Sequence, residues 1–294
     1  SPDICVLCFF LHLTMLSSTT NNIINSITSH ITSSPSSYIA KENVPTWSEP
    51  ATGSLLYLCV LIFLSLVWEK NPREKKTSRS KFLLYSNVFH NIVLILLSFV
   101  MFIGGVYSYV VSEPFFSSIC DSRDSSSTWD GVPGFWMKIH YWSKFYELLD
   151  TVFLILNGKN VIFLHVYHHV SMLFVTCAWL RFGWREGSQW CVVVNSLIHV
   201  FMYTYYLCSL LDIRVSWKRY MTMSQLIQFV SGLFYVFVYA YFHLFRGGCG
   251  LNERGVFDSP RFLTAMVSTM LNVSFIFLFS RFYRRAYRSK KRIA

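Results

Sequence analysis

The sequence predicts an all-α polytopic membrane protein of about seven transmembrane helices, and two observations carry that prediction. Of 294 residues, 53% are hydrophobic and only 14% are charged, with a mean hydropathy of +0.40. A soluble domain of this length carries about a quarter charged residues. Apolar segments recur along the chain at 51–68, 82–106, 135–157, 161–180, 190–210, 220–245 and 262–283. Each is close to the ~20 residues that cross a bilayer as a helix. They make one membrane domain, 51–283, between an N-terminal tail, 1–50, and a basic tail, 284–294.

Within the N-terminal tail, residues 4–16 are apolar but too short to span, and no basic residue precedes them. The remains of a signal segment and a merely apolar tail are both open there. Residues 17–37 are rich in Ser, Thr and Asn without apolar periodicity, and read as disordered. Of the seven segments, 135–157 is the least regular, because Lys144, Glu147 and Asp150 interrupt it.

The formal charge of +11 does not point to nucleic acid, since the basic residues sit in short runs flanking apolar segments. That pattern orients a protein in a bilayer. Lys70, Arg73, Lys75, Lys76, Arg79 and Lys81 fill the first connection, and seven Lys and Arg follow from Arg281 to Arg292. An odd number of crossings puts both runs on one face. The C-terminus is therefore expected in the cytosol and the N-terminus in the lumen. The long connection 111–134 carries Glu113, Asp121, Asp124 and Asp130 instead. Cys120 and Cys249 fall in non-cytosolic loops, one in each, where an oxidising lumen would let them form a disulfide. Two free thiols are the alternative.

Four polar stripes interrupt these apolar segments. His165, His168 and His169 lie at i, i+3 and i+4, hence on one helical face. Lys144, Glu147, Asp150 and Thr151 form a second stripe. Asn195, His199, Met202, Tyr203 and Tyr206, with Tyr205 beside them, form a third, and Thr222, Gln225 and Gln228 a fourth. With the topology above, all four sit in the cytosolic half, the histidines roughly 6–12 Å from that end of their helix at 1.5 Å per residue. Ionisable groups at such depth normally face a bundle interior or a cavity. A polar chamber open to the cytosol is the reading that accounts for all four.

In order, K-x-x-E-x-x-D-T, H-x-x-H-H, N-x-x-x-H-x-x-M-Y-x-Y-Y and T-x-x-Q-x-x-Q resemble the signature set of the ELO family of very-long-chain fatty acid elongases. These are the condensing enzymes, or 3-ketoacyl-CoA synthases, of the endoplasmic reticulum. The resemblance implies joining of malonyl-CoA to a long-chain acyl-CoA with loss of CO2, giving a 3-oxoacyl-CoA and CoA, with no cofactor. No cysteine lies in the four stripes. A neutral imidazole, with a reference pKa of about 6.5, is a competent nucleophile in its place.

By similarity to the family, His168 takes the acyl group as an acyl-imidazole and His199 faces it at the CoA-linked end. His165 and His169 then orient or transfer protons, with Glu147 or Asp150 fixing their tautomers. Asn195 and Tyr203 are candidates for holding the thioester or enolate oxygen. Lys144, Tyr206, Gln225 and Gln228 complete the substrate-binding set, and Lys218 and Arg219 stand at the mouth for the CoA phosphates. The acyl chain is expected in a tunnel lined by Phe, Leu and Val. A homodimer, and the reductases and dehydratase of the elongation cycle, are the protein partners to expect. Lys290-Lys291-Arg292 resembles an endoplasmic-reticulum retrieval signal without its lysine third from the end, and a stop-transfer cluster fits equally.

Two other readings stay open. A His-box membrane oxygenase needs roughly eight His ligands, whereas His12, His30, His90, His140 and His243 are scattered, leaving four of the nine histidines to converge. A seven-helix lipid or acyl-CoA binding or transport protein fits the segment count but leaves the His box unexplained.

Overall fold

The computed structural model describes residues 44–69, 81–112, 132–245 and 259–288. Cys120, Cys249, the tail 1–43 and Lys290-Lys291-Arg292 lie outside them. The described residues are helical: α1 (Ser48–Glu69), α2 (Lys81–Ser112), α3 (Val132–Glu147), α4 (Leu149–Leu156), α5 (Phe163–Phe182), α6 (Arg185–Leu210), α7 (Lys218–Phe245) and α8 (Ser259–Tyr283), then a π-helical turn at Arg284–Arg288. Among the described residues, six helices are long and apolar enough to cross a membrane, namely α1, α2, α5, α6, α7 and α8. The chain is an all-α, multi-pass membrane protein.

The third apolar segment is where sequence and structure differ. It is two helices, α3 and α4, broken at Leu148. There the amides of Leu148 and Thr151 reach back three residues, to the carbonyls of Phe145 and Leu148, in a tightened turn. The pair nonetheless runs antiparallel to α2 along its length. At one end Gly104 of α2 meets the Trp136 indole of α3, and at the other His90 of α2 meets Asp150 of α4. A Cβ at position 104 would lie 1.9 Å from that indole, so only glycine admits this approach.

Helix ends follow their local chemistry. Before α1 the Glu49 side chain reaches back to accept from the Thr46 amide at 3.1 Å, the carboxylate half of a capping box, while the Thr46 hydroxyl pairs with Ser48 Oγ. Glu49 Oε2 also accepts from Tyr141 of α3, while Arg181 Nη1 of α5 donates to the Pro45 carbonyl at 2.7 Å and stacks over Trp47. The segment before α1 is thereby fastened to the C-terminal end of α5. That end stops at Gly183, whose φ of 66° is the left-handed cap that favours glycine.

Contacts close a ring. α2 packs on α6, α6 on α7, α7 on α8, α8 on α5, α5 on α3, and α3 on α2, while α1 lies outside against α4 and α5. The outer surface carries exposed Ile62, Phe63, Leu66, Phe89, Leu96, Phe234, Phe237 and Met270, an apolar coat suited to lipid. The polar residues turn inward, where backbone pairing within each helix leaves side chains free to build a site.

Candidate active site

Two adjoining cavities occupy the ring. The larger, of about 300 Å³, sits at the end where α4, α6 and α8 finish and α5 and α7 begin. It is lined by members of all four stripes: Glu147 and Asp150, the three box histidines, Asn195, His199, Tyr203 and Tyr206, and Thr222, Gln225 and Gln228. The smaller, of about 70 Å³, continues toward the other end between Met172, Trp179, Trp184, Trp190 and Phe275. His168, Asn195, Gln228 and Phe229 line both, so they form the neck between a polar and an aromatic compartment.

Lys144 and Glu147 are 2% and 1% exposed. Two charges so deep require each other. Lys144 Nζ donates to Glu147 Oε1 at 2.8 Å and to Asn195 Oδ1 at 3.1 Å, and Ser143 adds a hydroxyl donor to Glu147. Because Asn195 turns its oxygen to the ammonium, its amide nitrogen faces His199 Nε2 at 3.2 Å. Nε2 of His199 is therefore an acceptor, and the ring proton sits on Nδ1, 3.6 Å from Glu147 Oε1. Lys144 thus acts on this site through Asn195 and Glu147.

The box histidines differ among themselves. His165 Nε2 pairs with Thr151 Oγ1 at 2.8 Å, and the same hydroxyl bonds Tyr57 of α1. His169 is buried, its ring centroid 4.4 Å from that of His165 and 6.3 Å from Tyr57. His168 touches His169 and Phe275 by its ring and makes no hydrogen bond to a described residue. Its nitrogens are left to whatever enters the neck. Among the described residues, no three His, Cys, Asp or Glu side chains converge as metal ligands.

Asp150 lines the larger cavity, but its oxygens are engaged elsewhere: Oδ1 with His90 Nε2 and Oδ2 with the Tyr203 hydroxyl, both at 2.8 Å. The histidine oriented by Asp150 is therefore His90 of α2, outside the box, and the Tyr203 proton is given to Asp150. Gln225 Nε2 rests on Met202 Sδ at 3.7 Å, a weak acceptor. Gln228 makes no side-chain hydrogen bond to a described residue and faces both cavities. Lys218 stands at the rim, where its carbonyl accepts from Tyr287. Arg219 turns away, exposed, its Nε donating to Tyr283 at 2.8 Å. Cys191 lines the smaller cavity, and among the described residues no cysteine lines the larger.

Sequence reasoning set aside His90 and His140 as scattered, yet both are buried inside the ring. A signal existed for each. His140 precedes Lys144 by one turn on the same stripe, and His90 adjoins the Asn87–Asn91 pair on α2.

Known proteins share this framework. The ELO, GNS1/SUR4 family pattern matches residues 44–294. Fatty acid elongase sre1 of Dictyostelium discoideum is 37% identical over 246 residues, covering 83% of this chain and 85% of that protein. Fatty acid elongase A of the same organism is 32% identical over 248 residues, covering 83% and 84%. Very long chain fatty acid elongase 4 of Homo sapiens is 34% identical over 268 residues, covering 85% and 76%. The matched span takes in every described helix, and with it both cavities and all four stripes. The chain belongs to the ELO, GNS1/SUR4, family.

Proposed function

We propose that this chain catalyses the decarboxylative condensation of malonyl-CoA with a long-chain acyl-CoA, in the endoplasmic reticulum membrane, with the larger cavity open to the cytosol. Family membership makes the chain a condensing enzyme of fatty acid elongation. The reaction assigned to it within that class rests chiefly on one observation. His168 stands unbonded at the neck between the polar and aromatic compartments. A CoA thioester lying in the larger cavity with its hydrocarbon in the smaller brings its carbonyl to this imidazole.

The neutral imidazole attacks the thioester carbonyl. The C–S bond breaks, the ring gives up its proton, and CoA leaves as the thiol, with an acyl-imidazole on His168. Malonyl-CoA then occupies the larger cavity and loses CO2. The electron pair of the broken C–C bond becomes an enolate, which attacks the acyl-imidazole carbonyl and breaks its C–N bond, and the departing ring nitrogen takes up a proton from solvent to restore neutral His168. The product is a 3-oxoacyl-CoA two carbons longer.

Burial of negative oxygen in these steps requires donors already in position. Gln228 and the second amide hydrogen of Asn195 fit that role, since Tyr203 spends its proton on Asp150. His199, with its proton on Nδ1 toward Glu147, presents Nε2 as the base once Asn195 releases it. Lys218 at the rim is the group for the CoA phosphates.

The test is His168→Ala in purified protein with labelled malonyl-CoA and acyl-CoA. Condensation should vanish while the thermal melt is retained, and intact-mass analysis of the wild type under acyl-CoA alone should give an acyl adduct. Turnover near wild type in the variant refutes the nucleophile.

A further inference from the structure

Two hydroxyls tie His165 to the outer helix. The Tyr57 hydroxyl of α1 lies 2.8 Å from Thr151 Oγ1 of α4, and the same oxygen lies 2.8 Å from Nε2 of His165 on α5. Tyr57 is 4% exposed and Thr151 0%. Neither hydroxyl makes a further hydrogen bond to a described residue. With both oxygens of Asp150 taken by His90 and Tyr203, no described carboxylate bonds His165. Its ring is therefore neutral and carries a single N–H.

Three protons serve two hydrogen bonds here, and counting them fixes the order. If Nε2 donated to Thr151 and Thr151 to Tyr57, the Tyr57 proton would be buried without an acceptor. If Tyr57 and Nε2 both donated to Thr151, the Thr151 proton would be the one stranded. Burial of an unspent donor is costly, and native structures avoid it. One order remains, in which Tyr57 donates to Thr151 and Thr151 donates to Nε2. The ring proton then sits on Nδ1. That nitrogen makes no hydrogen bond to a described residue and is not sealed off, so it opens on the larger cavity that His165 lines.

Position gives this donor its substrate atom. His165 precedes His168 by three residues, about 4.5 Å toward the start of α5 at 1.5 Å per residue. It lines the larger cavity alone, whereas His168, Asn195 and Gln228 line both. During condensation the acyl carbonyl is held on His168 at the neck. The thioester carbonyl of malonyl-CoA lies farther out, in the polar compartment, and its oxygen gains negative charge as CO2 leaves. A fixed N–H one turn outward from the nucleophile faces that oxygen.

We propose that Tyr57 and Thr151 are positioning residues that hold the proton of His165 on Nδ1, and that this N–H binds the enolate oxygen of malonyl-CoA. His165 keeps its proton throughout; it is a hydrogen-bond donor in the second half of the reaction. This rests on the condensing reading above and deepens it, naming the group that meets the malonyl thioester.

Two measurements on the full-length chain in detergent test it. The first is proton–nitrogen correlation NMR with isotope-labelled histidine, the His165 signals being those that vanish in His165→Gln. The wild type should carry the proton on Nδ1, and Thr151→Val should mix the two tautomers. The second is kinetic. Thr151→Val and Tyr57→Phe should each lower kcat for condensation about tenfold, the worth of one hydrogen bond of ~1.4 kcal/mol. KM for malonyl-CoA should hold within about twofold, because the bond strengthens only as charge develops. Acylation of His168 by acyl-CoA alone, read by intact mass, should slow far less than condensation. Because Tyr57 acts through Thr151, adding Tyr57→Phe to Thr151→Val should lower kcat no further. Thr151→Ser, which keeps the hydroxyl, should restore it. Thermal melts establish that the variants are folded.

A wild-type proton on Nε2 overturns the proposal. So do additive losses in the double variant, equal slowing of acylation, or unchanged kcat in folded Thr151→Val. No turnover of any acyl-CoA by the wild type sinks the condensing reading and this role with it, whereas turnover with the proton on Nε2 sinks this role alone. The spectral and kinetic arms use different variants, so misfolding in one leaves the other decisive.

Discussion

The amide nitrogen of Asn195 lies 3.2 Å from Nε2 of His199, and Lys144, bonded to the Asn195 oxygen, fixes which way that amide points. One lysine, reaching across from α3 to α6, thereby decides where the proton of a buried histidine resides. Few groups in a membrane interior can do this, because an unpaired ammonium there is costly.

Asn195→Asp tests that arrangement. The aspartate presents an acceptor to Nε2 and pulls the ring proton onto it, leaving Nδ1 as a lone pair against Glu147. The catalytic role assigned to His199 should fail, with kcat down roughly a hundredfold, the usual worth of a positioned base. KM for acyl-CoA should move far less. Steady-state kinetics separates the two, and unchanged kcat would remove His199 from the proton-transfer steps.

Lys144 and Glu147 make a different prediction, about stability. Glu147→Gln leaves a buried ammonium with only neutral amide partners and no counter-charge, which should cost about 3–5 kcal/mol. The double variant Lys144→Met, Glu147→Leu removes both charges and should recover much of that loss while remaining inactive. Denaturant titration in detergent reads the first quantity and condensation assays the second. If the double variant is as unstable as the single one, the charge pair is not the cause.

Much of this was legible in the sequence for a physical reason. A bilayer forces every crossing to be a long apolar helix, so composition and segment length nearly determine the architecture. Inside such a helix a polar residue has to face the interior, so the four stripes announced a shared chamber before any coordinates. Helical periodicity, however, tells which face a residue occupies and not which neighbour it meets. Asp150 has the spacing to serve the His box but bonds His90 and Tyr203 instead. Arg219 adjoins Lys218 in sequence, yet the helix turns it outward onto Tyr283. The break at Leu148 was hidden because Leu148 is itself an ordinary apolar helix former, and only the tightened hydrogen bonds reveal it. His140 lies one turn before Lys144 on the same stripe, and spacing alone does not tell a packed core histidine from one in a cavity wall.

The last prediction separates two roles for Tyr203. Sequence reasoning made it a candidate for holding a substrate oxygen. In the structure it is 0% exposed and its hydroxyl donates to Asp150, whose other oxygen is held by His90. A hydroxyl committed in this way is an anchor for a carboxylate, joining α2, α4 and α6 at one point. Tyr203→Phe should then lower stability by about 2 kcal/mol, the worth of a hydrogen bond to a charged group. It should leave kcat within about tenfold of wild type, well short of the hundredfold to thousandfold loss that follows removal of an oxyanion donor. His90→Phe, which removes the other partner of Asp150, should shift the melt in the same direction. Paired melting curves and kcat values for the two variants decide the matter. A normal melt for Tyr203→Phe with kcat down a thousandfold would return Tyr203 to the reacting atoms.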